Sequence, residues 1–131
     1  MKIIVLLLII INFLNAQIVV VTNKNSHFKE IPKDIIQYIY LAKTNNIDDI
    51  KVVPILSSDE KLHNEFCDKV LCKSPSQYNS YWIRLVFTGR KPIAKRYDFN
   101  DVVKKLNELN TIAYINKEDI KEEWKIIYED N

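Results

Sequence analysis

Two sets of hydroxyl and amide side chains stand directly after apolar runs, where a ligand loop would stand. Thr22, Asn23, Asn25 and Ser26 follow one run, and Ser57 and Ser58 follow a second. A small oxyanion is held by such groups, by backbone amides at a helix start and by a cation. Lys24, inside the first loop, and Arg84 can supply the positive charge. A competing reading stays open for each set. Asp59 and Glu60 follow the serines at once, satisfy the helix dipole themselves and repel an anion, so Ser57 and Ser58 also read as a bare helix cap. Arg84, two residues after Trp82, also reads as a long stem laid over aromatic surface.

Other reactive residues carry less. His63 and Cys67 are four apart on one helix face, with Asp59 a turn earlier, which is ligand spacing for a metal. No fourth ligand is in view, so no metal and no cofactor is expected. Asp59–Glu60 and Glu122–Glu123 are adjacent pairs, and neighbours on a helix point in different directions. No serine stands in a nucleophile elbow. The expectation is a binding protein and not an enzyme. Arg90, Lys91, Lys95 and Arg96 form a basic loop that steers an anion, touches an acidic partner or is merely solvated.

The elements that must position these residues are alternating strands and helices. Ile18–Val21 is a β-branched run, read as a strand buried on both faces. Pro32 starts a helix whose apolar face is Ile35, Ile36, Ile39 and Tyr40. Residues 51–55 give a second strand, with Pro54 suggesting an edge or a strand end. Ser57 with Glu60, and Ser74 with Gln77, fit capping boxes. The first opens a helix burying Leu62, Phe66 and Val70, the second a helix with the stripe Tyr78, Tyr81, Trp82, Leu85 and Val86. Gly89 stops that helix, Asp98 caps another, and Asn110 suits a left-handed helix end. Residues 111–115 and 124–128 are the last strands. The expected architecture is α/β, with about four strands flanked by helices.

Composition narrows the function by exclusion. Nineteen basic and seventeen acidic residues in 131 leave +2, short of the basic excess of a nucleic-acid binder. A single glycine excludes both the Gly-rich phosphate loop and the dinucleotide fingerprint. Lys2, the apolar stretch from Ile3 and Ala16 read as a secretory signal peptide over residues 1–16. Its apolar run, about a dozen residues, is short of the roughly 18 of a membrane span. Residues 17–131 are then the domain, periplasmic or secreted, with no membrane span after cleavage. Export permits a Cys67–Cys72 disulfide only if the helix ends near Leu71; otherwise both are small buried apolar residues.

The block Lys69-Val70-Leu71-Cys72-Lys73-Ser74-Pro75-Ser76-Gln77-Tyr78, continuing through Tyr81-Trp82-Ile83-Arg84-Leu85-Val86-Phe87-Thr88-Gly89, resembles a family. The pattern "K-V-L-G-x-S-P-x-Q-x-x-x-Y-W-x-R-L-x-F-T-G" is that of small secreted proteins related to the phosphate-binding component of ABC phosphate transporters. Ile18–Asn23, Val52–Ile55 and Thr111–Ile115 match its weaker segments in order. The resemblance implies a compact type-2 periplasmic binding-protein-like fold, usually two lobes about a cleft. It implies phosphate or a similar small oxyanion as ligand, and an ABC permease as partner. The chain departs from the pattern with Cys72 and Ala113 where glycines stand, and with Leu56–Lys61 where the family has a Gly/Ser turn. A second reading follows from that turn: an envelope protein-interaction or sensor module that keeps the fold and has lost the ligand site.

Overall fold

A computed structural model describes residues 17–91 and 95–130. The signal segment 1–16 lies outside these residues.

Alternating apolar residues organise the sheet. Ile18, Val20, Ile112, Tyr114 and Ile127 face one core; Val19, Val21, Ala113 and Ile115 face another. These residues belong to β1 (Ile18–Asn23), β6 (Thr111–Asn116) and β7 (Trp124–Glu129), which with β4 (Val53–Ser57) and β5 (Arg96–Tyr97) make a sheet of order β5-β4-β6-β1-β7. β4 runs parallel to β5 and β6, whereas β1 is antiparallel to β6 and β7. The expected four strands are present; β5 is the addition, since two residues give the sequence no period to show.

Helices cover both faces. α1 (Lys33–Tyr40), α2 (Glu60–Phe66) and α3 (Pro75–Phe87) serve the first core, and α4 (Phe99–Lys105) puts Val102 on the second, beside Leu106. α2 runs on as a wide turn, Cys67–Leu71, which closes on Cys72 in the left-handed region at φ 56°. Phe66 stacks on Tyr114 with ring centroids 3.9 Å apart, joining helix to sheet. A hairpin of β2 (Asn46–Ile47) and β3 (Ile50–Lys51) turns through Asp48 and Asp49, both at positive φ. That is the primed-turn geometry, in which glycine or asparagine is more usual.

Several local expectations need correction. The cap of α2 is Asp59, which accepts from the Leu62 amide, while Ser57 Oγ accepts from the Asp59 amide. Asp59 takes the cap because the serine is spent on the preceding turn. Asn110 is not left-handed; Ala42, at φ 57° after α1, and Gly89, at φ 71° after α3, are. The Ser74–Gln77 capping box and the Asp98 cap form as expected. Both cysteines are free thiols, Cys67 buried and Cys72 exposed.

Candidate ligand-binding site

The direction of β1 decides which loops meet. Thr22 lies beside Ile112, and Ile112 beside Pro54, so the end of β1 shares an edge with the starts of β6 and β4. Ser57 and Ser58 leave the opposite end of β4. Three residues of strand and two strand spacings therefore put Thr22 and Ser57 on the order of 14 Å apart. The two loops do not form one site. Strand ends gather at one edge only when strands are parallel, and β1 is antiparallel.

The first loop is engaged in holding the fold. Thr22 is fully buried and its Oγ1 donates to the Thr111 carbonyl at 2.9 Å. Asn23 Nδ2 donates to the Leu106 carbonyl at the end of α4, and its Oδ1 accepts from the Asn25 amide. Asn25 itself is exposed. Ser26 Oγ accepts from the Phe28 amide. Arg84 is exposed on α3 and lines neither of the cavities described below.

At the other edge a polar cavity of about 420 Å³ opens between α2 and α3, past the end of β4. Its polar walls are Glu60, His63 and Asn64 from α2, Ser76 and Asn79 from α3, and Arg96 from β5. Ser57 and Ser58 belong to the turn that leads into α2; Ser57 is buried and Ser58 exposed. The Arg96 guanidinium ties the site together. Its Nε donates to the Ser57 carbonyl at 2.8 Å, Nη1 pairs with Glu60 Oε1 at 3.1 Å, and Nη2 is buried with no hydrogen-bond partner. A donor left bare in this way costs free energy until something accepts from it. Arg96 belonged to the basic loop of the sequence reading but not to its candidate ligands. The β5 pairing that turns its side chain inward left no pattern in the sequence.

His63 forms the back wall. The Ser57 amide donates to the Tyr114 hydroxyl at 2.9 Å, and the hydroxyl's own proton, with no other acceptor among the described residues, goes to His63 Nδ1 at 2.6 Å. This assigns the ring proton to Nε2, which lies 3.6 Å from Cys67 Sγ. Burial, and then the Arg96 cation, push the His63 imidazole down to about 4, with Glu60 opposing. Burial and the Asp68 charge push the Cys67 thiol up to about 11, against a smaller opposing effect of Arg96. The pair is thus a neutral imidazole against a neutral thiol, the reverse of an activated nucleophile. Asp59 is occupied as a helix cap, and among the described residues no three metal-ligating side chains gather.

The mixed sheet with three helices on one face and one on the other matches the periplasmic-binding-protein-like fold of solved structures. Two solved structures share the fold. One, from Clostridium perfringens, was assigned as a phosphate ABC transporter substrate-binding protein and holds phosphate; it matches with TM-score 0.64 at 18% identity, over 86% of this chain and 44% of its own. The other is an ABC-type phosphate transport receptor from Vibrio cholerae, with TM-score 0.54 at 14% identity, over 86% and 45%. The chain therefore spans less than half the length of either. Correspondingly, its described residues build one layered lobe, not the two lobes about a cleft that the sequence resemblance implied. No protein-family model and no curated protein matches the chain. The resemblance read from Lys69–Gly89 is borne out as fold.

Proposed function

We propose that this protein is an exported, non-enzymatic solute-binding protein that takes phosphate or a similar small oxyanion in the cavity between α2 and α3. The observation that carries the reading is Arg96, which lines that cavity and whose buried Nη2 has no hydrogen-bond partner. An oxyanion accepts from it, and the donors of Ser76, Asn79 and Asn64 complete a neutral cradle. Of Ser57 and Ser58 neither lines the cavity; the Ser57 carbonyl serves it by holding Arg96 Nε. Thr22, Asn23, Asn25, Ser26 and Arg84 are left out of the proposed site. The fold shared with phosphate-binding proteins supports the ligand class, and delivery to an ABC permease is the role proposed with it.

Glu60 acts as the internal competitor. Its carboxylate pairs with Arg96 Nη1 and must swing away or tolerate the incoming anion. Calorimetric titration with phosphate, sulfate and a neutral control tests the reading. Saturable binding is expected, strengthened about tenfold in Glu60→Gln and lost in Arg96→Gln, a difference of about 1.4 kcal/mol for the former. No binding up to millimolar phosphate in either the natural chain or Glu60→Gln overturns it. Silence favours the second reading, an envelope interaction module. Ile83 and Phe87 are large apolar residues exposed on α3, Phe87 at 89%, and such a patch suits a protein partner.

A further inference from the structure

A second cavity has a different chemistry. It measures about 430 Å³, in the range of small-molecule sites. It lies beside the start of β4: among the described residues β5 pairs with Leu56 and Ser57, and none pairs with the outer edge of Val53–Ile55. Pro54 in that stretch has no amide to leave bare. The floor is Ile39, Val53, Pro54 and Leu56, and the inner face of α3 closes it with Tyr78 and Trp82. The Tyr78 ring is fixed, since its hydroxyl donates to the Tyr40 carbonyl at 2.8 Å. Trp82 Nε1 is buried without a hydrogen-bond partner.

Charge on this cavity is of one sign. Lys51, Lys91 and Lys95 line it, and no carboxylate among the described residues does. Among the described residues none of the three lysines is in an ion pair; Lys95 Nζ rests 5.3 Å from the centre of the Tyr97 ring. An apolar, aromatic-walled floor under three unpaired cations does not suit inorganic phosphate, which has no apolar surface to bury.

We propose that this cavity is a ligand site for an organic anion with a flat apolar body and a carboxylate or sulfonate head. The body lies against Tyr78 and Trp82, and the head meets the lysines at the mouth. The site is separate from the proposed oxyanion cavity, although Leu56, Tyr78 and Trp82 line both.

The test uses 2-naphthoate, its neutral analogue 2-naphthamide and inorganic phosphate, by calorimetry on the full chain. Fluorescence of Trp124→Phe, in which Trp82 is the remaining tryptophan, supplies a local signal. Saturable naphthoate binding is expected, with a change in Trp82 emission. Naphthamide binds about tenfold or more weakly. The triple variant Lys51→Gln/Lys91→Gln/Lys95→Gln, all surface changes, weakens naphthoate at least about tenfold and leaves naphthamide within about twofold. Excess phosphate does not displace naphthoate, whether or not phosphate itself binds, so this proposal and the preceding one fail separately. Equal binding of acid and amide, indifference to the lysine changes, displacement by phosphate, or no saturation up to millimolar naphthoate overturns it.

Discussion

Acid should destabilise this protein through one residue, His63. The imidazole is 7% exposed and is held down to about 4 by burial and by Arg96. An unfolded chain takes a proton at the ordinary value near 6.5, so below that pH the unfolded state binds a proton that the folded state refuses. Stability is complete above about pH 6.5, falls as pH drops through the window from 6.5 to 4, and then levels for this group. The full loss is bounded at about 3 kcal/mol, of which about 2 kcal/mol falls between pH 7 and pH 5. For a domain of this size that is a drop in Tm of roughly 8 °C. The window lies above the ordinary carboxylate range, and the chain's other histidine, His27, is exposed.

Urea unfolding at pH 7 and pH 5 measures the loss directly, and His63→Gln isolates its source. Glutamine retains an acceptor for the Tyr114 hydroxyl but cannot titrate. The variant should be less stable at pH 7 by about 1 kcal/mol and lose little more at pH 5. Neighbouring charges give the sign a second check. Glu60→Gln removes the group that opposes the shift and should deepen the acid loss; Arg96→Gln removes a cause of it and should make the loss shallower. Equal stability of the natural chain at both pH values, or an undiminished fall in His63→Gln, refutes the assignment.

Other consequences follow from backbone and burial. Ala42→Gly and Cys72→Gly, at left-handed positions, should each stabilise by up to about 1 kcal/mol in urea, since glycine adopts that region without the Cβ penalty. Thr22→Val should cost about 1 kcal/mol by removing a buried hydrogen bond, and calorimetry should show unchanged phosphate binding because the residue stands at the far edge of the sheet. Phe66→Ala should cost about 3–5 kcal/mol, read by thermal unfolding, as it empties the stack against Tyr114. Thiol titration with an aromatic disulfide should count one reactive cysteine in the native protein, the exposed Cys72, and two after denaturation.

The Ser74 capping box, the Asp98 cap and the apolar periods were legible because they are local. Ser74 with Gln77, Asp98 and the β-branched run of β1 each act within a few residues, and each forms as read. The site was harder for two physical reasons. Strand direction is not a local property: the residues of β1 are the same whether it runs parallel or antiparallel, yet direction alone puts Thr22 and Ser57 at opposite edges. Arg96 was hidden for the other reason, since it gains its role from two backbone pairings with β4 across nearly forty residues of chain.

The departures from the family pattern now have different physical weights. Ala113 is buried in a regular strand and packs into the second core, so a methyl group there costs no backbone strain. Cys72 is different: it occupies a left-handed position, where a glycine would be unstrained. The Asp59–Glu60 turn divides in two. Asp59 is spent on the Leu62 amide and is a structural replacement for a serine cap. Glu60 is 75% exposed at its side chain and reaches Arg96, the one cation among the described residues of the cavity wall. An exposed pair of this kind is worth at most about 1 kcal/mol, which a doubly charged oxyanion can exceed through Nη1 and the bare Nη2 together. The turn therefore weakens the proposed site without closing it, and Glu60→Gln separates a weakened binder from a fold that has stopped binding.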